Sequence, residues 1–281
     1  MVGKTVLVTG GNSGMGLATT IEMARRGTAV IMACRSRTRG EEALAEARRQ
    51  SGSDNIRLML CDLASFDSVR AFAEEFTASY PVLDVLINNA GVVALKRQLT
   101  ADGYELDFGV NHLGHFLLTK LLLERLIAAE QGRIVVVASG AYKIGKLHLD
   151  DHTLSRGYNP AKAYGRSKLA NILFIRELAA QLRGTQVTVN AVHPGAVSTS
   201  IGVNRETGFG RSVLKLLSPF FLTPEQGADT AVWLAAAPEL RGVTGEYYYR
   251  RKIQELSPRA RDAAAAAQLW QWSLEHTGLQ Q

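Results

Sequence analysis

Short, β-branched apolar runs alternate with amphipathic helical stretches along the first two thirds of this chain, and that rhythm constrains the fold more than any other feature. "TVLVT" (5–9), "AVIMAC" (29–34), "IRLMLCD" (56–62), "LDVLINNAG" (83–91), "GRIVVVASG" (132–140) and "QVTVNAVHPG" (186–195) read as strands. Their near-continuous hydrophobicity marks strands covered on both faces. Between them, "GLATTIEMARRG" (16–27), "GEEALAEARRQSG" (40–52), "SFDSVRAFAEEFTASYP" (65–81), "FGVNHLGHFLLTKLLLERLIAA" (108–129) and "AYGRSKLANILFIRELAAQL" (163–182) read as helices. The second places acid first and base last, as a helix dipole favours, and Ser65 is placed to cap the third. The expected fold class is α/β: one doubly wound parallel sheet in a single domain spanning 1–281.

The fourth and fifth helices are apolar on more than one face, so they are expected to be buried in the core or in a contact between two copies, a homodimer. The stretch 196–226 breaks the rhythm with Gly202, Gly208, Gly210, Pro219 and Pro224 around "SVLKLLSPFF". It follows the C-terminal end of a strand, where ligands bind in such sheets, and reads as a substrate lid. A further capped helix (223–239), a short strand "GEYYY" (245–249) and a helical tail (258–278) complete the chain.

Composition narrows the function. The net charge of +6 comes from basic residues scattered in pairs and triplets rather than in a stripe. Nucleic-acid binding is therefore not expected, and a phosphate-bearing small ligand fits better. Cys34 and Cys61 have no CxxC or metal-ligand spacing, so no disulfide framework or zinc site is implied, and reduced intracellular cysteines are expected. No apolar run approaches the ~20 residues that span a bilayer. The expected localisation is cytoplasmic.

"TGGNSGMG" (9–16) joins the first strand to the first helix. Gly10, Gly14 and Gly16 allow a sharp turn and close approach of a pyrophosphate. Asn12, Ser13 and Met15 share the turn, and the helix N-terminus beyond offers amides and a positive dipole end. Further on, "YNPAKAYGRSK" holds two tyrosine–lysine pairs four residues apart, Tyr158/Lys162 and Tyr164/Lys168. Pro160 separates them, because proline is accepted at a helix start and not inside it. Tyr158 and Lys162 straddle the entry, whereas Tyr164 and Lys168 project from one side of the helix. An ammonium beside a phenol stabilises the phenolate and lowers its pKa from ~10, giving an acid or base usable near neutrality.

With these motifs, together with "CDLAS" (61–65), "NNAG" (88–91), "VNHLGHFLLT" (110–119), "VVVASG" (135–140) and "HPGAVST" (193–199), the whole chain resembles the short-chain dehydrogenase/reductases, and especially their retinol-dehydrogenase-like branch. The resemblance implies a Rossmann fold and a metal-free, NAD(P)-dependent oxidoreductase. It assigns catalysis to Asn111, Ser139, Tyr164 and Lys168. Asp62 and Leu63 would contact the adenine, and Asn88, Ala90 and Gly91 would line its ribose. Lys168 would hold the nicotinamide ribose, with Pro194, Gly195, Val197 and Thr199 on the carboxamide side. The segment between Ser139 and Tyr164 is long, as in the retinol-dehydrogenase-like branch, and "YKIGKLHLDDHTLSRGYN" is expected to border the substrate. "ASG" stands where the branch often has two serines, leaving Ser139 alone for the role.

Cofactor choice has a separate physical argument. NAD enzymes place an acid after the second strand for the ribose 2′-hydroxyl. Here "RSRTRG" (35–40) follows, with three arginines and no acid before Glu41. A guanidinium holds a 2′-phosphate that a carboxylate would repel, so NADP is expected, with Arg35 the main contact and Asn12 and Ser13 assisting. His112, His115 and His193 lack companions at ligand spacing and read as structural. The expected activity interconverts a lipophilic alcohol and its ketone or aldehyde. Two alternatives stay open: a cofactor-retaining epimerase or cyclase of the same fold, and a non-catalytic NADP-binding sensor.

Overall fold

The structure, a computed structural model, describes residues 1–195 and 222–279. Strand and helix alternate as β1 (Thr5–Thr9), α1 (Gly14–Arg25), β2 (Ala29–Cys34), α2 (Arg37–Ser51), β3 (Ile56–Leu60), α3 (Phe66–Ser79) and β4 (Val85–Asn88). There follow α4 (Leu106–Phe108), a π-helical turn (Gly109–Gly114), α5 (His115–Leu121), α6 (Leu123–Ile127), β5 (Arg133–Val137), α7 (Pro160–Gln181) and β6 (Thr188–His193). Then come α8 (Pro224–Ala236), β7 (Tyr247–Tyr249), β8 (Lys252–Ile253), α9 (Pro258–Arg261) and α10 (Ala263–His276).

The strands form one sheet in the order β3-β2-β1-β4-β5-β6-β7-β8. β1 to β7 are mutually parallel and β8 is antiparallel. Val6 of β1 stands beside Val30 of β2 and Val85 of β4, so the sheet centre is a row of β-branched side chains. Two hydrophobic cores flank it. One gathers Phe72, Phe76, Leu113, Phe116 and Leu173 from α3, the π turn, α5 and α7. The other gathers Ile21, Met23, Ala47, Ala231 and Val232 from α1, α2 and α8. This is a doubly wound α/β sheet, covered on both faces as the apolar strands require.

Caps explain several boundaries. The Ser65 hydroxyl accepts from Ser68 N at 3.3 Å at the start of α3. Asn159 accepts from Lys162 N at 3.0 Å, and Pro160 occupies the first position of α7. α2 starts earlier than its charge pattern implies: Ser36 precedes it, and the first turn carries arginine and no acid.

The single helix expected over 108–129 is broken. The π turn at Gly109–Gly114 and the non-helical Leu122, with φ −97° and ψ 1°, divide it. Its apolar faces, read as core or as subunit contact, are covered by the chain's own tail. Trp270 of α10 stacks on Phe174 at 6.1 Å and meets the edge of Phe116 at 5.1 Å. Beside them, His112 Nε2 and Ser273 Oγ share a hydrogen bond of 3.0 Å. Residues 196–221 of the expected lid, Val197 and Thr199 among them, lie outside the described residues. No helix among the described residues is long and apolar enough to cross a membrane.

Candidate active site

In the sheet order, β1 is flanked by β2 on one side and β4 on the other, so the winding direction reverses between β1 and β4. At such a switch point the loops leaving the two strands diverge and open a crevice at their C-terminal ends. Thr9 and the turn after β4 build its floor. The Thr9 hydroxyl accepts from Asn89 N at 2.9 Å and Ala90 N at 3.0 Å, and Asn89 Nδ2 donates to Thr9 O at 2.7 Å. His115 Nε2 reaches the same hydroxyl at 2.8 Å from α5.

The glycine-rich turn lies directly on this floor. Gly10 has φ +64°, and a Cβ there would stand 3.0 Å from Ala90 Cα. A Cβ on Gly16 would collide with the Gly10 carbonyl. Backbone alone fits at both positions. Ser13, before α1, makes no side-chain cap, so no hydroxyl competes for the first-turn amides of Gly14 and Met15. An anion is what such a helix start accommodates. The turn and the crevice therefore fit the diphosphate of a dinucleotide.

Around the crevice, Arg35 is exposed just beyond β2. The nearest acid in sequence, Glu41, is 3.8 Å from Arg37. Asp62 uses one carboxylate oxygen to accept from Ala64 N at 3.0 Å, and Leu63 is buried beside it, its carbonyl against Gly114. Asn88 is buried as well: its Nδ2 donates to Thr119 at 2.9 Å, while its Oδ1 has no hydrogen-bond partner among the described residues. Asn12, Ala90 and Pro194 are partly exposed, and Gly195 has φ +85° after β6.

Three elements bring the expected catalytic residues together. Ser139 ends the loop after β5 and caps a 3-10 turn, accepting from Ala141 N at 3.2 Å. It also acts on the Tyr164 phenol, whose pKa it lowers. Lys168, one turn along α7, is buried; its Nζ donates to Val137 O at 2.9 Å and lies 5.5 Å from the Tyr164 ring centre. A Cβ on Gly91 would sit 3.5 Å from Asn111 Oδ1 and 3.7 Å from Lys168 Nζ, so this glycine borders both. Asn111 stands in the π turn, an irregularity often found at functional sites. Its Nδ2 donates to Val92 O and to Ser167 Oγ, each at 3.0 Å, and its Oδ1 accepts from Val92 N at 2.8 Å. Tyr158 is elsewhere: its hydroxyl donates to Ala94 O at 2.6 Å.

The electrostatics correct one expectation. Lys168 does not dominate Tyr164. Burial raises the phenol above its ordinary value, Ser139 opposes this, and Asp107 adds to the rise. Burial also brings the Lys168 ammonium down to about 8, opposed by Asp107. In this state Tyr164 carries its proton at neutral pH.

His112 and His115 are fully enclosed, and burial lowers them to about 3 and about 4. They are neutral hydrogen-bonding groups within the fold. Among the described residues no three His, Cys, Asp or Glu side chains gather into a metal-binding group. The sequence reading missed three buried ionisable residues packed against α7: Glu105, Asp107 and Arg166. A carboxylate and an arginine inside otherwise apolar helical stretches were the available signal.

Comparison with known proteins identifies the family. The family profile described as short chain dehydrogenase matches residues 4–208. Human retinol dehydrogenase 14 is 48% identical over 99% of this chain and 88% of its own length. Mouse retinol dehydrogenase 12 is 45% identical, over 99% of this chain and 87% of its own. A solved, uncharacterized protein from Mycobacterium paratuberculosis superposes with a TM-score of 0.79 at 35% identity, over 99% of this chain and 95% of that one. A short chain dehydrogenase from Escherichia coli CFT073, solved complexed with NADPH, shares the fold with a TM-score of 0.69 at 22% identity, over 88% and 96%. With its parallel sheet and glycine-rich crevice, the chain belongs to the short-chain dehydrogenase family, in the retinol-dehydrogenase-like branch, and is an NAD(P)-dependent oxidoreductase.

Proposed function

We propose that the protein interconverts a lipophilic alcohol and its aldehyde or ketone with NADP(H), using Asn111, Ser139, Tyr164 and Lys168. The observation that carries the catalytic part is Lys168 Nζ, 5.5 Å from the Tyr164 ring centre on the same helix and tied to Val137 O at the end of the strand that leads to Ser139. When bound, the nicotinamide supplies or accepts the hydride. Tyr164 Oη gives its proton to the substrate oxygen in reduction and takes it back in oxidation. Ser139 Oγ orients that oxygen and stabilises the charge it develops. Lys168, held by Val137 O, keeps a positive charge behind the phenol and would hydrogen-bond the nicotinamide ribose. Asn111 fixes the Val92 backbone beside Gly91 and links to α7 through Ser167.

Gly10, Asn12, Ser13, Gly14, Met15 and Gly16 would hold the diphosphate end, and Asp62, Leu63, Ala90 and Gly91 the adenosine. Exposed Arg35, with no ion pair among the described residues, supports NADP over NAD. Relatives named retinol dehydrogenases support a lipophilic substrate. Exposed Leu95 and Ile144, on the loops after β4 and β5, add apolar surface nearby.

The test is NADPH and NADH binding, then reduced-nicotinamide absorbance with a panel of aldehydes and ketones that includes retinaldehyde. Turnover preferring NADPH supports the reading. Preference for NADH overturns the Arg35 argument, and tight NADPH binding without turnover on any compound overturns the enzymatic assignment of these residues.

A further inference from the structure

The strap Val92–Ala94 leaves the crevice immediately after Gly91, and side chains hold it at Val92 and at Ala94. Asn111 brackets the Val92 backbone, as described. Asp107, one turn earlier on the same helical stretch, accepts from Ala94 N through Oδ1 at 2.8 Å. From the opposite side the Tyr158 hydroxyl donates to Ala94 O at 2.6 Å. Asp107 is wholly buried, and its Oδ2 has no hydrogen-bond partner among the described residues.

The groups that face Asp107 come from three elements. Glu105, on its own helix, accepts from Asp107 N at 2.8 Å and Phe108 N at 3.0 Å. Arg166, Lys168 and Tyr164 belong to α7, and Tyr158 to the loop before it. Burial first and the Glu105 carboxylate second push the Asp107 carboxyl up to about 8; Ala94 N, Lys168 and Arg166 pull the other way. The influence is reciprocal, since Asp107 favours the protonated forms of both Tyr164 and Lys168.

We propose that Asp107 is a positioning residue of this site, clamping the strap beside Asn111 while its ionisation governs how Tyr164 and Lys168 hold their protons. The proposal rests on the assignment of Tyr164 and Lys168 made above. At neutral pH Asp107 is a carboxylic acid and adds no net charge to the pair. As the pH rises past 8 its proton leaves to solvent, and the carboxylate retains the protons of Tyr164 and Lys168. Carbonyl reduction then persists to higher pH than it would with a group that cannot ionise. Asparagine keeps the acceptor for Ala94 N and carries no charge.

The experiment measures kcat/KM for carbonyl reduction from about pH 6 to about pH 10 on the full chain, for wild type, Asp107→Asn, Tyr158→Phe and Tyr164→Phe. The alkaline limb of Asp107→Asn is expected to move to lower pH by about half a unit or more. Tyr158→Phe removes a strap contact without changing charge, so it lowers kcat and leaves the limb in place. Superimposable limbs for wild type and Asp107→Asn, with Tyr164→Phe inactive, overturn the proposal alone. An active Tyr164→Phe overturns the site assignment instead.

A readout independent of turnover is thermal unfolding. Folded Asp107 keeps its proton to about 8, whereas unfolded it loses the proton near its ordinary 3.8. Its contribution to stability therefore falls as pH rises between those values. The Tm of Asp107→Asn relative to wild type should climb across that window, and a constant difference contradicts the proposal. Should the variant not fold, infrared spectra of the wild type serve: absence of a protonated-carboxyl band at pH 7 that is lost by about pH 10 overturns it.

Discussion

Lys168 donates its ammonium to the Val137 carbonyl at 2.9 Å, tying α7 to the end of β5. The contact fixes the angle at which α7 presents Tyr164 to Ser139, because Ser139 leaves the same strand two residues later. A lysine buried in this way gives up hydration for one strong acceptor, and burial brings it down to about 8. Its ammonium therefore gives up a proton more readily than a surface lysine would.

On the proposed reading, Arg35 is the residue on which the cofactor preference turns. Arg35→Glu replaces a guanidinium by a carboxylate at the end of β2, where Glu41 is already beside Arg37. NADPH affinity should fall by about tenfold to a hundredfold, the worth of one charge-assisted hydrogen bond, with NADH affinity changed far less. Fluorescence titration of both nucleotides reads this directly. Equal losses for both, or none for NADPH, remove the argument.

Arg166 anchors the long loop before α7. Its guanidinium lies 4.3 Å from the Phe108 ring centre and donates to Asp151 O at 3.0 Å and His152 O at 3.1 Å, with Glu105 at 3.8 Å. Arg166→Leu strands the Glu105 carboxylate without its cation. The expected cost is about 3–5 kcal/mol, measured by denaturant unfolding. Arg166→Lys should recover only part of it, since one ammonium cannot serve the carbonyls and the carboxylate together.

Much of this was legible in advance. Strand runs such as "AVIMAC" appear at their read positions because β-branched apolar side chains suit a doubly covered sheet. Pro160 separated Tyr158 from Tyr164 correctly, since proline opens α7. The π turn within 108–129 was not legible, because apolar residues at helical spacing look alike in α and π geometry. The β7–β8 hairpin was missed for a related reason. Its turn holds Arg250 and Arg251 at φ 49° and 59°, where glycine or asparagine would have signalled it. Asp107 and Arg166 were passed over because spacing says nothing about which charges a fold encloses. The direction of the Tyr164 shift also depended on burial, which a Tyr–Lys spacing does not contain.

Acid should unfold the protein before its carboxylates alone would. His112 and His115 are held at about 3 and about 4, below the 6.5 of an unfolded histidine. The unfolded chain therefore binds more protons between those values, and stability falls as the pH drops from 6.5 toward 4. His112→Gln should flatten this slope in urea unfolding series at several pH values. An unchanged slope contradicts the assignment of His112 as a buried neutral group.

The tail helix should be a structural necessity. Trp270 packs against Phe116 and Phe174, with Lys120 Nζ 5.2 Å from its ring centre. Trp270→Ala should cost about 3–5 kcal/mol by opening a cavity over α5 and α7. Light scattering should show self-association, as the uncovered apolar face seeks another partner. A monomeric variant of wild-type stability would contradict this role.

The central claim is that Tyr164 supplies the proton. The most direct measurement is kcat for a lipophilic aldehyde with NADPH in wild type and Tyr164→Phe, beside the NADPH dissociation constant of each. The phenyl ring keeps the packing and loses only the hydroxyl. A fall in kcat of about 10²–10⁴-fold with unchanged NADPH binding is the predicted result. Turnover within a few fold of wild type would contradict the account and return the proton donor to an unidentified group.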